Sequence, residues 1–424
     1  MRRRAALVAV GSVGVGLGAC SGADLEEAAR PSVTRADSAG IEVVTNHVAL
    51  AELPAWSLDG PAVSIGSFDD AAQQLFQVTA ARRLADGRIV VANSGSHELR
   101  FFDPGGAFLA AAGGKGEGPG EFQRLWALDQ TAGDTLYAWD LRTFRVSRFT
   151  GQGEFLDDFR MGTAETGEFV RYLRRFADGS ILTSANRTLG GEDLPQSGVM
   201  DSEIVYRLQK PDGTSGDTVD VLPGQKSWIE LQVQDGEIAG ISFWNLPLDP
   251  GSVTAYGARG FAYGPSESYE IRWYGMTGDL ARIVRWDRDR TAVTPEIVSA
   301  MVTANTEGIE DAERRRTNEE VYAKLPVPER LPPYGGMHLD RAGRLWVQEF
   351  EIPGDDPATE WVVFDPAGAA IGRITLPARF SALAIGEDWI LGRAVDELDI
   401  EYVRMFGLSR PVVPTGAGPD ASGF

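Results

Sequence analysis

Residues 76–122 place the tightest constraint on what this chain can fold into. Four short apolar runs lie there: Phe76 to Leu84, Arg88 to Ala92, Leu99 to Phe102 and Ala107 to Ala112. They are separated by Ala85-Asp86-Gly87, by the polar stretch Asn93 to Glu98, and by Asp103-Pro104-Gly105-Gly106. Asp-Gly and Pro-Gly pairs supply the positive-φ positions that tight hairpins need. Runs of about five residues at this spacing predict a meander of antiparallel strands. Such a unit has two faces to bury and cannot bury them alone, so it requires neighbours of the same kind.

The rest of the chain supplies those neighbours. A second repeat, 123–161, has strand candidates near Leu125 to Leu128, Thr135 to Trp139, Arg145 to Phe149 and Glu154 to Phe159. A third, 170–222, contains Arg174-Arg175-Phe176-Ala177-Asp178-Gly179-Ser180-Ile181-Leu182, an echo of Arg82-Arg83-Leu84-Ala85-Asp86-Gly87-Arg88-Ile89-Val90 at a distance of 92 residues. A fourth spans about 227–286, with strands at Gly260 to Tyr263 and Tyr269 to Trp273. The fifth resumes at Pro333, and its Phe364-Asp365-Pro366-Ala367-Gly368 matches Phe102-Asp103-Pro104-Gly105-Gly106. The sixth, 380–408, shows only three strands. Its missing outer strand is predicted to come from residues 41–65, which would close a ring and remove the sheet edges. Residues 295–324 break this rhythm, being rich in Ala, Glu and Arg. Thr294 followed by Pro295 reads as an N-cap and first helical position, so one or two inserted helices are expected there. Residues 409–424 read as a frayed tail.

Six four-stranded repeats, the Asp-Gly turns, Phe-Asp-Pro-x-Gly, and Gly114-Lys115-Gly116-Glu117-Gly118-Pro119-Gly120-Glu121-Phe122 resemble the bacterial six-bladed β-propellers related to NHL-repeat proteins. The resemblance covers about residues 41–408 and implies an all-β propeller with a helical insert between blades four and five. It implies a tendency to bind things and no single activity.

The N-terminus reads Met1-Arg2-Arg3-Arg4 followed by a small apolar run from Ala5 to Ala19, too short for a permanent membrane span. The run ends in Leu17-Gly18-Ala19-Cys20, which resembles the lipobox of bacterial lipoproteins. That resemblance implies a signal peptide over 1–19, an acylated Cys20, a tether over 20–40, and a cell-envelope location on the outer-membrane or periplasmic side. Cys20 is the only cysteine, so no intramolecular disulfide can form. With 40 Lys and Arg against 61 Asp and Glu, the net charge is −21. Nucleic acid is therefore an unfavoured partner, because phosphates require a basic footprint.

The glycines of 113–120 lack the Gly-Lys-Ser/Thr ending of a phosphate loop and precede a strand, so a tight connection is the better reading. His47, His97 and His338 stand alone, without the partners a zinc site needs. No Gly-x-Ser-x-Gly elbow is present to anchor a serine-hydrolase reading. Asn93, Asp140 and Glu349 fall at equivalent ends of second strands, with Asn186 one step displaced. In gluconolactonase-like propellers, Glu, Asn and Asp from separate blades hold a divalent cation, and hard cations favour such oxygen ligands. That resemblance makes a metal-dependent hydrolase the alternative function. Strand-end Asn and Asp also serve turns, which is their commonest role. The long connections, by contrast, all emerge on one end of an up-and-down meander, and insertions confined to one face mark a binding face. The leading expectation is a non-catalytic binding or scaffold module without a cofactor. It is held to the membrane by lipid and takes a protein or small molecule on that face near Asn93, Asp140, Arg142, Asn186, Arg187, Glu349 and Arg393.

Overall fold

The computed structural model describes residues 32–161, 170–187, 197–234, 237–249, 251–352 and 358–411. Cys20, the leader and the end of the tail lie outside the described residues. The fold is all-β and propeller-like, with six sheets among the described residues. Sheet 1 comprises Val78–Arg83, Ile89–Asn93, Glu98–Phe102 and Phe108–Gly113. Sheet 2 comprises Leu125–Gln130, Leu136–Asp140, Arg145–Phe149 and Phe155–Arg160. Sheet 3 runs through Val170–Arg175, Ile181–Arg187, Gly198–Gln209, Thr218–Gln234 and Glu237–Asn245. Sheet 4 holds Ser252–Gly257, Gly260–Pro265, Glu270–Gly275 and Leu280–Trp286. Sheet 5 holds Gly336–Leu339, Leu345–Gln348, Thr359–Phe364 and Ala370–Leu376. Sheet 6 holds Phe380–Ile385, Trp389–Val395 and Glu401–Ser409, with Ser57–Ile65 as its outer strand.

Each sheet buries both faces, which explains the continuous apolar runs of the second strands. All five residues of Ile89–Asn93 are buried, as are all five of Leu136–Asp140. Successive side chains point to opposite neighbours. Val90 and Ala92 pack with Leu125, Leu136 and Ala138 of sheet 2, whereas Ile89 and Val91 pack with Ile65, Leu391 and Val403 of sheet 6. The same division repeats between sheets 2 and 3, 3 and 4, 4 and 5, and 5 and 6, giving an apolar core in every interval of the ring. The Asp-Pro-x-Gly turns are built alike. The Asp103 carboxylate accepts from the amides of Gly105 and Ala107, and Asp365 accepts from those of Ala367 and Ala369. Gly106 and Gly368 take φ of 90° and 84°, which a side chain would strain.

Three boundaries differ from the sequence reading. First, the stretch expected to be tether contains Val33–Ser38, which pairs with Ile41–Asn46. Its turn has Ala39 and Gly40 both at positive φ, 56° and 86°, and the Ala hides a turn that Asn-Gly would have announced. This hairpin joins sheet 4 through parallel pairing of Ile41–Asn46 with Leu280–Trp286, so only Ser57–Ile65 completes sheet 6. Second, residues 227–234 and 237–245 belong to sheet 3 as long paired strands, and sheet 4 begins at Ser252. Those strands leave Ile238, Ile241 and Phe243 exposed, so they lack the one-sided pattern that identifies a packed strand. Third, the last strand reaches Ser409.

Between sheets 4 and 5 lie the helices Pro295–Thr306 and Ala312–Tyr322. The Thr294 side chain accepts from the Ile297 amide, with Pro295 in the first turn. The first helix seats Met301 against Leu248 and Leu331.

Closure depends on Ile65, which is fully buried and paired with Val403. Ile65→Ala should cost about 2–4 kcal/mol, read by urea unfolding. A loss below about 1 kcal/mol would show that this strand does not hold the last sheet.

Candidate functional site: the central channel

The first strands neighbour one another around an axis, sheet 1 with 2, 2 with 3, 3 with 4, 4 with 5, and 6 with 1. They enclose a cavity of about 840 Å³ lined by residues of all six, including Arg82, Asp129, Arg174, Tyr256, His338 and Leu383. Its rim carries the short turns after the first strands, at Ala85, Thr131 to Asp134, Ala258 to Gly260 and Asp340 to Gly343. The mouth therefore lies at the end opposite the long connections.

Four of the turns that follow first strands, not all of them on the rim, share one hydrogen bond, from the first turn residue to the carbonyl four residues on: Leu84 to Arg88, Thr131 to Thr135, Phe176 to Ser180, and Asp340 to Arg344. Counting back two residues from each gives Arg82, Asp129, Arg174 and His338, four polar side chains at one level of the ring. Asp129 is buried and joins its neighbours. It accepts from Arg174 Nη1 at 2.5 Å, Tyr172 Oη at 2.6 Å and the Arg175 amide at 2.8 Å, while Arg82 Nη2 stands 3.7 Å away. Arg82 Nη1 donates to the carbonyls of Ala81 and Leu383. Arg341 reaches across the mouth from sheet 5 and donates to the Arg83 carbonyl and to Gln130 Oε1.

The level carries net positive charge, and burial together with that charge shifts its titrating groups. Burial and the charge of Arg174 bring Arg82 down to about 10, and burial with the same Arg174 charge also lowers Arg341. His338 is half-buried within the ring, and burial, Arg82 and Arg174 push its imidazole down to about 3. It is neutral at any physiological pH. Burial and Asp129 raise the Tyr172 phenol, which remains a donor.

The residues expected at the long-connection end have other engagements. Asn93 is buried and ties its own turn, accepting from the Phe76 amide and donating to Ser96 Oγ. Asp140 is buried, and its carboxylate accepts from the amides of Gln123, Arg124, Arg142 and Thr143. Glu349 forms a two-pronged pair with Arg288 at 2.9 and 2.7 Å, and burial raises its carboxyl against that pull. Arg393 pairs with Glu401, and Arg187 with Glu203 at 3.3 Å. Arg142, Asn186 and Arg187 are exposed. Among the described residues, no group of three His, Cys, Asp or Glu side chains is placed to hold a metal ion.

Sequence reading missed Arg82, Asp129, Arg174, His338 and Arg341 as site residues. The signal was the internal repeat itself. Its two copies both open on Arg-Arg, and the ring turns Arg82 and Arg174 towards the carboxylate of the sheet between them.

No protein-family model matches the chain, and no curated protein matches it. Several solved structures are similar in shape. A member of the DUF4221 family from Bacteroides vulgatus is 12% identical over 84% of this chain and 98% of its own, with a TM-score of 0.47. The virginiamycin B lyase of Staphylococcus aureus, with quinupristin, is 9% identical over 81% and 83%, with a TM-score of 0.37. The calcium-binding protein regucalcin of Agrobacterium tumefaciens is 9% identical over 84% and 97%, with a TM-score of 0.35.

A histidine whose folded pKa is depressed opposes folding as pH falls, because the unfolded chain takes up a proton that the folded chain refuses. For His338 that window runs from about 6.5 down to about 3. His338→Gln should therefore flatten the acid-side loss of stability, by up to about 1.4 kcal/mol per pH unit. Urea unfolding at pH 7, 6 and 5 checks this; parallel slopes for variant and wild type would contradict it.

Proposed function

We propose that the protein is a lipid-anchored, extracytoplasmic six-bladed β-propeller that binds a small molecule in its central channel without transforming it. The observation that carries this reading is the channel, whose volume of about 840 Å³ falls within the range of small-molecule sites. Its groups suit binding better than catalysis. The Asp129 carboxylate already accepts from Arg174, Tyr172 and Arg175. His338, pushed down to about 3, is a weak base at neutral pH. A metal at Asn93, Asp140 and Glu349 gains no support, since Asp140 is capped by four amides and Glu349 is bound to Arg288.

The leader and Cys20 support the envelope part of the reading. After cleavage before Cys20, residues 21–31 would serve as the tether. More than one acyl chain gives stable anchoring where a single chain does not. Cys20→Ala should abolish acyl labelling and release the protein from membranes; a variant that still fractionates with membranes would remove the anchor.

Native mass spectrometry of protein gently extracted from its own envelope tests the binding role. A discrete small-molecule adduct is expected, and it should be lost when Ala132 and Ala342 at the mouth are both replaced by Trp. Retention of the same adduct by the plugged variant would place binding elsewhere, and turnover of the bound molecule would end the non-catalytic reading.

A further inference from the structure

The channel carries more positive charge than its own carboxylates neutralise. Four arginines line it, Arg82, Arg174, Arg259 and Arg341, against Asp129, Asp134 and Asp340. Asp340 is already matched, since its buried carboxylate holds Arg344 at 2.5 Å and accepts from the Trp346 indole. Asp134 at the rim accepts from the Ala85 amide and Gln130 Nε2, and its charge offsets part of that of Arg341. The remaining charge is concentrated inside a protein whose formal net charge is −21. Low-dielectric walls focus such a local field within a cleft.

Hydrogen-bonding capacity is unbalanced in the same direction. Arg174 Nε is buried and has no acceptor among the described residues. Asp129 Oδ1 takes Arg174 Nη1 and Oδ2 takes Tyr172 and the Arg175 amide, and none of these bonds involves Nε. Arg82 Nη2 is 3.7 Å from Asp129, beyond hydrogen-bonding distance. A buried donor left without an acceptor is costly, and a guanidinium is most fully satisfied by a two-oxygen acceptor such as a carboxylate or phosphoryl group. Trp126, 43% exposed, lines the same cavity and offers a flat apolar wall.

We propose that the channel binds a small molecule through an oxyanion group, carboxylate or phosphoryl, held between Arg82 and Arg174, with Arg341 at the mouth and Trp126 beside its organic part. His338 is the neutral member of this level, so it adds a hydrogen-bonding group without adding charge. The proposal rests on the channel-binding reading and narrows it to one ligand chemistry.

Isothermal titration of the detergent-solubilised full chain with citrate and, separately, inorganic phosphate tests it. At least one probe should bind at one site per chain, and more weakly as sodium chloride is raised. Arg174→Gln should weaken binding by about tenfold or more. Arg142→Gln, at the opposite end, should leave it within about twofold. If Arg174→Gln alone does not fold, the charge-balanced double variant Asp129→Asn with Arg174→Gln should fold and show the same loss. Citrate binding without phosphate binding identifies a carboxylate site, and the converse identifies a phosphoryl site. The proposal is overturned if neither probe binds at about 20 mM, or if affinity is unchanged in both Arg174 variants. A neutral molecule found as the native adduct would overturn it while leaving the channel-binding reading intact.

Discussion

The pairing of Ser57–Ile65 with Glu401–Ser409 joins the two ends of the folded chain, and the remaining packing depends on it. Every sheet is apolar on both faces, so an open row would leave two faces in water. Closing the row into a ring removes both. The strand responsible carries Val63 and Ile65 into the same core as Val78, Ile89 and Val91, so sheet 6 gains its fourth strand and its contact with sheet 1 together. The N-terminal hairpin of Val33–Ser38 and Ile41–Asn46 makes a second long-range join at sheet 4. There Asn46 is fully buried and holds the Gly368 carbonyl and the Ala370 amide of sheet 5.

Closure also determines what the centre contains. Six first strands facing one axis bring together side chains that are far apart in sequence. Arg82 and Arg174 occupy matching positions in sheets 1 and 3, and Asp129 occupies the same position in sheet 2. One carboxylate thus serves two guanidiniums, and it bonds one while the other stands off. Burial lowers Arg82 and His338, and the repulsion of the neighbouring guanidiniums adds to it. Asp129 offsets part of that charge, and the proposed anionic ligand would offset the rest.

Much of the fold was legible in the chain because its signals are local. Asp-Gly and Asp-Pro-x-Gly mark turns by backbone chemistry, and apolar runs mark strands buried on both faces. Where local signals weaken, the reading shifted: the Ala39-Gly40 turn lacks the usual residue, and strands 218–234 and 237–245 extend past the core with apolar side chains in water. The candidate site was less legible. Asn93 and Asp140 sit at the expected strand ends, but their oxygens accept backbone amides, and sequence spacing does not separate a ligand from a cap. The arginine pair was visible as a repeat 92 residues apart, yet its meaning depends on ring geometry that no local window contains.

The most direct measurement of the central claim is an experimental structure of the chain with citrate. The account predicts density in the channel with a carboxylate oxygen about 3 Å from the Arg174 guanidinium and close to Arg82 Nη2. An empty channel at saturating citrate, or citrate bound only at the end carrying Arg142 and Arg187, would contradict it.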